Sequence, residues 1–231
     1  MLSVVILTFN SEKYLKEVLQ SASFADEIIV LDSGSSDTTE QICKQFKNVK
    51  FQHQSWLGFG KQKRAAVDLA SNDWVFALDS DEVIMPLLKD EILSVLKEPE
   101  FDAYKVARLN LFFGKEVRSM GLYPDFTVRL FNKNRANFND KEVHEKVVVK
   151  GDTGELKNPL KHYAYESIEQ FIAKQNRYSS LGAQKSKFKA IFNPAWTFFR
   201  LFILKKGFMD GWHGYVIAKL YAQYTFWKYI K

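Results

Sequence analysis

The sequence predicts an α/β fold in which a mostly parallel sheet is covered by helices on both faces and is followed by a helical tail. Three observations lead to this prediction. In about the first hundred residues, continuous apolar runs of strand length alternate with segments of helical periodicity, which is the pattern of a parallel sheet buried on both sides. Polar and acidic residues directly follow three of these apolar runs. From residue 185 onward the chain is basic and aromatic.

The predicted elements of the first half alternate regularly. SVVILTF is the first strand, and the helix after it begins with an N-cap at Asn10 or Ser11. EIIVLDSGSSD is a second strand ending in a polar turn, and SDTTEQICKQF is a helix whose first N–H groups Ser36 or Asp37 would cap. VKFQHQ is a short third strand, FGKQKRAAVDLA a helix, and DWVFALD a fourth strand.

The second half is less regular. FDAYKVARLNLFFG, FTVRLFN and EVHEKVVVKG predict strands, and ESIEQFIAKQNRYSSLGAQKS predicts a helix after His162. The chain contains no internal repeat, low-complexity segment or flexible linker. The simplest division is a main domain at residues 1–184 and a helical tail at residues 185–231.

Composition restricts the class of protein. The single Cys43 excludes an internal disulfide framework and a multi-cysteine zinc site, which suits a reducing compartment. Met1 and Leu2 lead directly into the first strand without a basic segment or cleavage site, so we expect no secretory signal. The net charge of +6 is uneven, because residues 185–231 hold eight Lys and one Arg against one Asp, which is +8, and the remainder carries −2.

The stretch VFALDSDEVI, residues 75–84, ends the fourth strand with acids at Asp79, Asp81 and Glu82. Clustered like charges are unfavourable unless solvent disperses them or a cation lies among them. Two carboxylates one residue apart can bind Mg²⁺ or Mn²⁺ together with substrate phosphates. A solvated turn is the alternative. The metal is favoured because the turns at residues 8–10 and 32–35 lie at the same sheet edge, where ligands bind.

The means of binding a phosphate group are less obvious. Neither G-x-G-x-x-G nor a Walker P-loop is present. Lys61, Lys63 and Arg64 on the predicted third helix either face solvent or bind a diphosphate. Asp32, which ends the second strand, could accept hydrogen bonds from a nucleobase or ribose.

The blocks SVVILTFNSEKYL, EIIVLDSGSSDTT, GFGKQKRAA and DWVFALDSDE, in this order, resemble the family 2 glycosyltransferases with the GT-A fold. GLYPDFTVRLF, VHEKV and LKHYAYESIEQFIAKQNRYS are more narrowly similar to bacterial glucosyltransferases of lipopolysaccharide or lipooligosaccharide core synthesis. The resemblance covers residue 2 to about residue 180. It implies a GT-A catalytic domain at residues 1–184, a nucleotide-sugar donor, Mg²⁺ or Mn²⁺, and inversion at the anomeric carbon.

The resemblance also implies roles for individual residues. Asp81 matches the direct metal ligand, Asp79 the acid that contacts the sugar or ribose, and Lys63 a basic position beside the nucleotide. His162 would join the metal or the diphosphate, with a structural role as the alternative. The positions lining the nucleoside pocket are matched by Thr8, Asn10, Glu12 and Asp32.

Inverting transfer needs a base that deprotonates the acceptor hydroxyl. The Glu-Asp pair that many family members place beyond the metal motif is missing. Glu145 in VHE is the first candidate, and Asp125 in YPD competes with it. Arg129 either holds a substrate phosphate or carboxylate, or forms a structural ion pair.

The tail combines charge and aromatic residues, with 14 of the 35 aromatics in residues 185–231. Arg200 and Lys219 interrupt its two apolar segments, so neither is long enough to span a bilayer. Basic helices rich in Trp and Phe lie in the headgroup interface. We therefore expect a peripheral protein on the cytoplasmic face of the bacterial inner membrane, acting on a lipid-linked oligosaccharide. Packing on the main domain or a dimer interface is the alternative, and the oligomeric state stays open.

The expected function is metal-dependent, inverting transfer of a hexose, glucose from UDP-glucose, to a lipooligosaccharide or lipopolysaccharide core acceptor. The nearest alternative transfers galactose or an N-acetylhexosamine to another glycan. A nucleotidyltransferase would typically need a Gly-rich basic stretch after the first strand, and TFNSEKYL has no glycine. A nucleic-acid-binding protein is disfavoured by the acidic sheet edge.

Overall fold

The computed structural model describes residues 1–140 and 145–231 and divides the chain into two compact units. The first unit is Met1–Arg108 with Phe126–Lys161, and the second is Leu109–Asp125 with His162–Lys231. This division differs from the predicted boundary after residue 184, because the unit that contains the tail also includes two earlier segments.

The predicted alternation of strands and helices in the first half is confirmed. Four parallel strands lie in the order β3-β2-β1-β4, and every residue of the second strand is buried, as expected for a sheet covered on both faces. The strands are β1 (Leu2–Thr8), β2 (Glu27–Asp32), β3 (Val49–His53) and β4 (Trp74–Asp79), joined by the helices α1 (Glu12–Ala22), α2 (Thr39–Cys43) and α3 (Phe59–Asp68).

The sheet continues from β4 with further strands in the order β8, β6, β12 and β5. The first of these is antiparallel to β4 and places Leu130 opposite Phe76. The elements of this part are β5 (Glu82–Ile84), α4 (Pro86–Val95), β6 (Ala103–Phe112), β7 (Lys115–Glu116), β8 (Asp125–Asn132), β9 (Ala136–Phe138), β10 (Val147–Val149), β11 (Thr153–Glu155) and β12 (Leu160–Tyr165). Residues 141–144, which include the Val and His of the VHE block, lie outside the described residues.

Two helices begin differently from the prediction in detail. Ser11 precedes α1 as expected, but its hydroxyl accepts a hydrogen bond from the Phe9 amide and caps no helical N–H group. The second helix begins at Thr39, later than predicted, with Thr38 at its N-cap position. Asp37 still binds the helix start, since its Oδ1 accepts from the Thr39 amide at 3.0 Å.

The second unit is built mainly from helices, which are α5 (Ile168–Leu181), α6 (Lys187–Phe199), a π-helical segment at Arg200–Leu204, a 3-10 turn at Gly207–Asp210, and α7 (Gly211–Ile230). The ring of Phe171 on α5 meets that of Tyr221 on α7 edge to face, with centroids 5.2 Å apart. Ile217 and Ala218 of α7 are fully buried. The last helix is therefore part of a hydrophobic core. In the described ranges, no helix has both the length and the hydropathy that crossing a bilayer requires.

Candidate active site

Asp32 lies at the carboxyl end of β2, where the strand register places it opposite Thr8 of β1. It is 3% exposed, and its two oxygens accept four hydrogen bonds. The donors are the Thr8 hydroxyl at 2.8 Å, the Gly34 amide at 2.8 Å, and the amide and hydroxyl of Ser35 at 2.8 Å and 2.5 Å. Because a carboxylate has about four acceptor sites, this side chain shapes the turn after β2.

The protonation of Asp32 follows from the same contacts. Burial alone would raise the pKa of this carboxyl, but the hydrogen bonds from Ser35, Gly34 and Thr8 outweigh burial and hold the pKa below its ordinary value. The φ of Gly34 is 103°, a conformation that residues with a Cβ rarely adopt. The turn therefore needs both the acid and the glycine.

Asn10 and Glu12 join the turn after β1 to the turn after β2. Asn10 Oδ1 accepts from the Ser36 amide at 2.8 Å. Glu12 Oε2 accepts from the amide of Thr38 at 3.0 Å and from its hydroxyl at 2.6 Å. The residues predicted to line a nucleoside pocket are therefore brought together at one sheet edge, where their side chains bind the turns themselves.

Lys63 of α3 contacts two acidic residues from distant parts of the sequence. Its Nζ lies 3.1 Å from Asp79 Oδ1 and 3.3 Å from Glu145 Oε1. The lysine side chain is 14% exposed, and its Nζ lies 5.5 Å from the centroid of the Phe138 ring. Three of the predicted site residues thus meet at the carboxyl end of β4.

Arg129 of β8 neutralises two of the clustered acids. Its Nη2 lies 2.6 Å from Asp79 Oδ2 and also contacts Glu82 Oε1. The second oxygen of Glu82 accepts from the Asp79 amide at 3.0 Å, and Arg108 Nη1 lies 3.9 Å from Glu82 Oε1. Of the two roles left open for Arg129, the structure shows the ion pair.

Burial affects the charges of this cluster, but their mutual attraction dominates. Burial would raise the pKa of Asp79, yet Arg129 and Lys63 outweigh it and hold this pKa well below its ordinary value. Burial would lower the pKa of Arg129, yet Asp79 and Glu82 raise it. The sequence suggested that solvent or a metal would compensate these acids. For Asp79 and Glu82 the protein's own cations do so.

Asp81 lies two residues beyond Asp79 in the first unit and is half-buried. Its neighbour Ser80 accepts a hydrogen bond from the Ser11 hydroxyl at 3.1 Å, which ties this turn to the turn after β1. Within the described ranges, no three His, Cys, Asp or Glu side chains are arranged to hold a metal ion. Mg²⁺ is usually bound by one or two carboxylates with waters and substrate phosphates, and the half-buried Asp81 could supply one such carboxylate.

His162 and Asp125 both belong to the second unit. His162 Nδ1 lies 2.7 Å from Asn110 Oδ1, and Asn110 Nδ2 donates to the Leu122 carbonyl at 3.0 Å. The amide oxygen therefore faces the ring and would accept from Nδ1 in the tautomer that carries its hydrogen there. Ligating histidines have this arrangement. Asp125 is half-buried at the first position of β8.

Glu82 and Arg129 are the site residues whose connection the sequence did not reveal. A signal was present, since Glu82 is followed by the apolar pair Val83-Ile84 and Arg129 lies within the apolar strand FTVRLFN. A charged residue inside a buried strand needs an opposite charge nearby. Their pairing could not be read from spacing, because 47 positions separate them.

A family model and curated relatives identify the family of this chain. The model described as Glycosyl transferase family 2 matches residues 3–150. An uncharacterized glycosyltransferase of Rickettsia felis is 30% identical over 242 residues, covering 96% of this chain and 85% of the relative. The lipopolysaccharide core biosynthesis glycosyltransferase LpsC of Rhizobium meliloti is 27% identical over 240 residues, covering 97% and 89%. The fold is similar to that of S. aureus TarS in complex with UDP-GlcNAc, with a TM-score of 0.55, 19% identity, and coverage of 94% and 79%.

Proposed function

The chain belongs to the family 2 glycosyltransferases, and from this premise we propose that it transfers glucose from UDP-glucose to a lipopolysaccharide or lipooligosaccharide core acceptor, with inversion at the anomeric carbon. The acceptor class is supported by the similarity to LpsC along nearly the whole of both chains. The observation that carries the chemistry is the contact of Lys63 with both Asp79 and Glu145. This contact brings together a cation that can bind a diphosphate and a carboxylate that can accept a proton.

On the donor side, Lys63 binds the diphosphate as a point charge. Thr8, Asn10, Glu12 and Asp32 form the nucleoside end of the site. Asp32 acts mainly by holding the turn, because its oxygens are already occupied by Thr8, Gly34 and Ser35. Asp79 contacts the donor sugar or ribose while Arg129 and Lys63 keep it charged.

The divalent cation, Mg²⁺ or Mn²⁺, would be held by Asp81 and would supply positive charge to the departing diphosphate. The contribution of His162 to the metal or diphosphate stays a prediction.

Glu145 is the proposed base. Its carboxylate takes the proton of the acceptor hydroxyl, whose oxygen forms the new bond to the anomeric carbon. The bond from that carbon to the diphosphate oxygen breaks on the opposite side, and UDP leaves with the electron pair. Asp125 is the competing candidate.

The tail supports action at a membrane surface. Phe188, Trp196 and Trp212 are 71%, 55% and 72% exposed, and residues 185–231 carry a net charge of +8. Exposed aromatic side chains among basic residues suit the interface of an anionic bilayer. We place the protein peripherally on the cytoplasmic face of the inner membrane, where a lipid-linked acceptor is available.

The test is UDP release from UDP-glucose, UDP-galactose and UDP-GlcNAc, with Mn²⁺ and with EDTA. We expect turnover of UDP-glucose that stops in EDTA. Asp81→Ala should abolish it while the fold stays intact, since the substitution removes the proposed metal ligand from a half-buried turn. Asp90→Ala, an exposed acid on α4, is the matched control and should behave as wild type. Turnover unaffected by EDTA contradicts the metal assignment, and preference for another sugar selects the alternative donor.

A further inference from the structure

The second unit contains a cavity of about 300 Å³ whose polar lining is mainly cationic. Arg118, Lys205 and Lys206 contribute the charges, and Leu204 and Met209 contribute apolar side chains. None of these residues belongs to the site described above. Ligand pockets usually measure about 300–1,000 Å³, so this cavity lies at the small end of that range and suits a small group.

Among the described residues, two of the three cations form no ion pair. In the described part of the chain, no acidic side chain forms an ion pair with Lys205 or Lys206. Arg118 pairs with Glu116 at 3.0 Å. The nearby Asp210 Oδ2 accepts from both the amide and the hydroxyl of Ser119. Three cations against Glu116 and Asp210 leave a net charge of +1 around the cavity.

The backbone beside the cavity has an unusual conformation. Met120, Gly121 and Lys206 all have left-handed φ, at 59°, 73° and 57°, which residues with a Cβ rarely adopt. The Met120 amide donates to the Lys205 carbonyl at 2.8 Å, which holds the two segments together. A Cβ placed on Gly121 would lie 2.7 Å from Lys205 Nζ, so the ammonium group lies against the glycine that lines the cavity.

The lining is amphiphilic at its edge. Leu204 and Met209 are 55% and 70% exposed beside the lysines, and the neighbouring Phe208 is 53% exposed. Cations next to exposed hydrocarbon complement a molecule that carries an anionic group next to an acyl chain. A small hydrophilic anion alone would leave these apolar side chains in water.

We propose that this cavity binds a phosphate monoester carried by a lipid-anchored molecule. Lys205 and Lys206 contact the phosphate oxygens, and Leu204 and Met209 contact the hydrocarbon beside it. The inference rests on the proposed function in one respect, namely that the enzyme meets its acceptor at a membrane surface. It adds a site that recognises phosphate at a place distinct from the donor diphosphate.

The phosphate itself is tested with glucose 6-phosphate, with glucose as the control ligand, by following the amide NMR signals of Ser119 and Gly121. We expect saturable shifts with glucose 6-phosphate in the wild type and none with glucose. Lys205→Ala/Lys206→Ala should weaken binding at least about ten-fold. Lys185→Ala/Lys187→Ala removes the same charge from exposed positions of the tail and should change the affinity for glucose 6-phosphate less than two-fold. Equal weakening in both variants, or no saturable shift in the wild type, overturns the site.

The lipid source is tested by flotation with phosphatidylcholine vesicles that contain phosphatidic acid or phosphatidylserine, matched in zeta potential. We expect the wild type and the Lys185→Ala/Lys187→Ala variant to prefer phosphatidic acid at least about five-fold. The cavity variant should show no preference. Equal binding to both lipids by the wild type overturns the lipid assignment. UDP release from the donor should be equal in the wild type and in both double variants. Because this activity is measured apart from vesicle binding, a failure of the glycosyltransferase proposal can be distinguished from a failure of the lipid site.

Discussion

Lys63 Nζ lies 3.3 Å from Glu145 Oε1, so the cation proposed for the diphosphate also holds the carboxylate proposed as the base. The same ammonium lies 3.1 Å from Asp79. A diphosphate that binds Lys63 must compete with both carboxylates. Donor binding and the release of Glu145 for proton transfer are therefore coupled through one side chain.

Glu145→Gln should lower turnover by about 10² or more with donor affinity preserved, because the amide is nearly isosteric but cannot take a proton. The measurement is steady-state transfer together with UDP binding by calorimetry. Asp125→Asn is the matched variant and should retain activity. An active Glu145→Gln enzyme and an inactive Asp125→Asn enzyme would move the role to Asp125.

Lys63→Met should weaken UDP binding by about ten-fold, since a charge-assisted hydrogen bond to phosphate contributes about 1.5–3 kcal/mol. Lys61→Met, two positions earlier on the same helix and exposed, is the control and should bind UDP as wild type does. Calorimetric titration with UDP measures both. If the two variants bind UDP equally, Lys63 has only a structural role.

Arg129→Met should lower the free energy of unfolding by about 3 kcal/mol, because it removes the nearer of the two arginines that pair with the fully buried Glu82 and leaves Arg108 at 3.9 Å. Combining it with Glu82→Gln should recover part of the loss, because the uncompensated charge is then gone. Urea denaturation at pH 7 measures both variants. A double variant less stable than Arg129→Met would show that the uncompensated charge of Glu82 is not the cause.

The tail should bind anionic vesicles, and part of this binding should be lost at high salt. Each basic residue near the surface contributes about 1 kcal/mol, which salt weakens. Trp196→Ser/Trp212→Ser should remove the salt-resistant part. Leu87→Ser, at a 68% exposed position of α4, is the control. These substitutions test the surface better than truncation at residue 185, which would also remove the buried Ile217 and Ala218. If the wild type does not bind vesicles and forms a dimer in analytical ultracentrifugation, the aromatic surface of the tail is a dimer interface.

Glu27 should make folding stability depend on acid pH. Burial would raise its pKa, but Lys50, Ser3 and Ser71 lower it from 4.5 to about 2. Because the folded-state pKa lies below the unfolded one, the stabilisation is present above pH 4.5 and is lost as the pH falls toward 2. The shift corresponds to at most about 3 kcal/mol. Urea denaturation at pH 7 and pH 3 should show a smaller difference for Glu27→Gln than for wild type. Glu40→Gln, at an exposed pair with Lys44, should match wild type.

The sequence by itself determined the succession of strands and helices in the first half of the chain and the polar residues at the sheet edge. Apolar runs of strand length between amphipathic helices permit few arrangements, and the carboxyl ends of parallel strands meet at one edge. The sequence alone therefore predicts that Thr8, Asp32 and Asp79 lie at one edge of the sheet. The register confirms this, with Thr8 opposite Asp32 and Leu7 opposite Asp79.

Only the tertiary structure decided which charges meet. Lys63 and Glu145 are 82 positions apart, and their contact depends on how α3 and the segment before β10 are placed in the first unit. Arg129 reaches Asp79 because β8 pairs antiparallel with β4. The residue pattern of a strand does not predict which other strand it pairs with. The tail shows the same limit. Apolar spacing marks α7 as a helix, but only packing distinguishes the buried Ile217 from the exposed Trp212, because burial depends on which surface the rest of the chain presents.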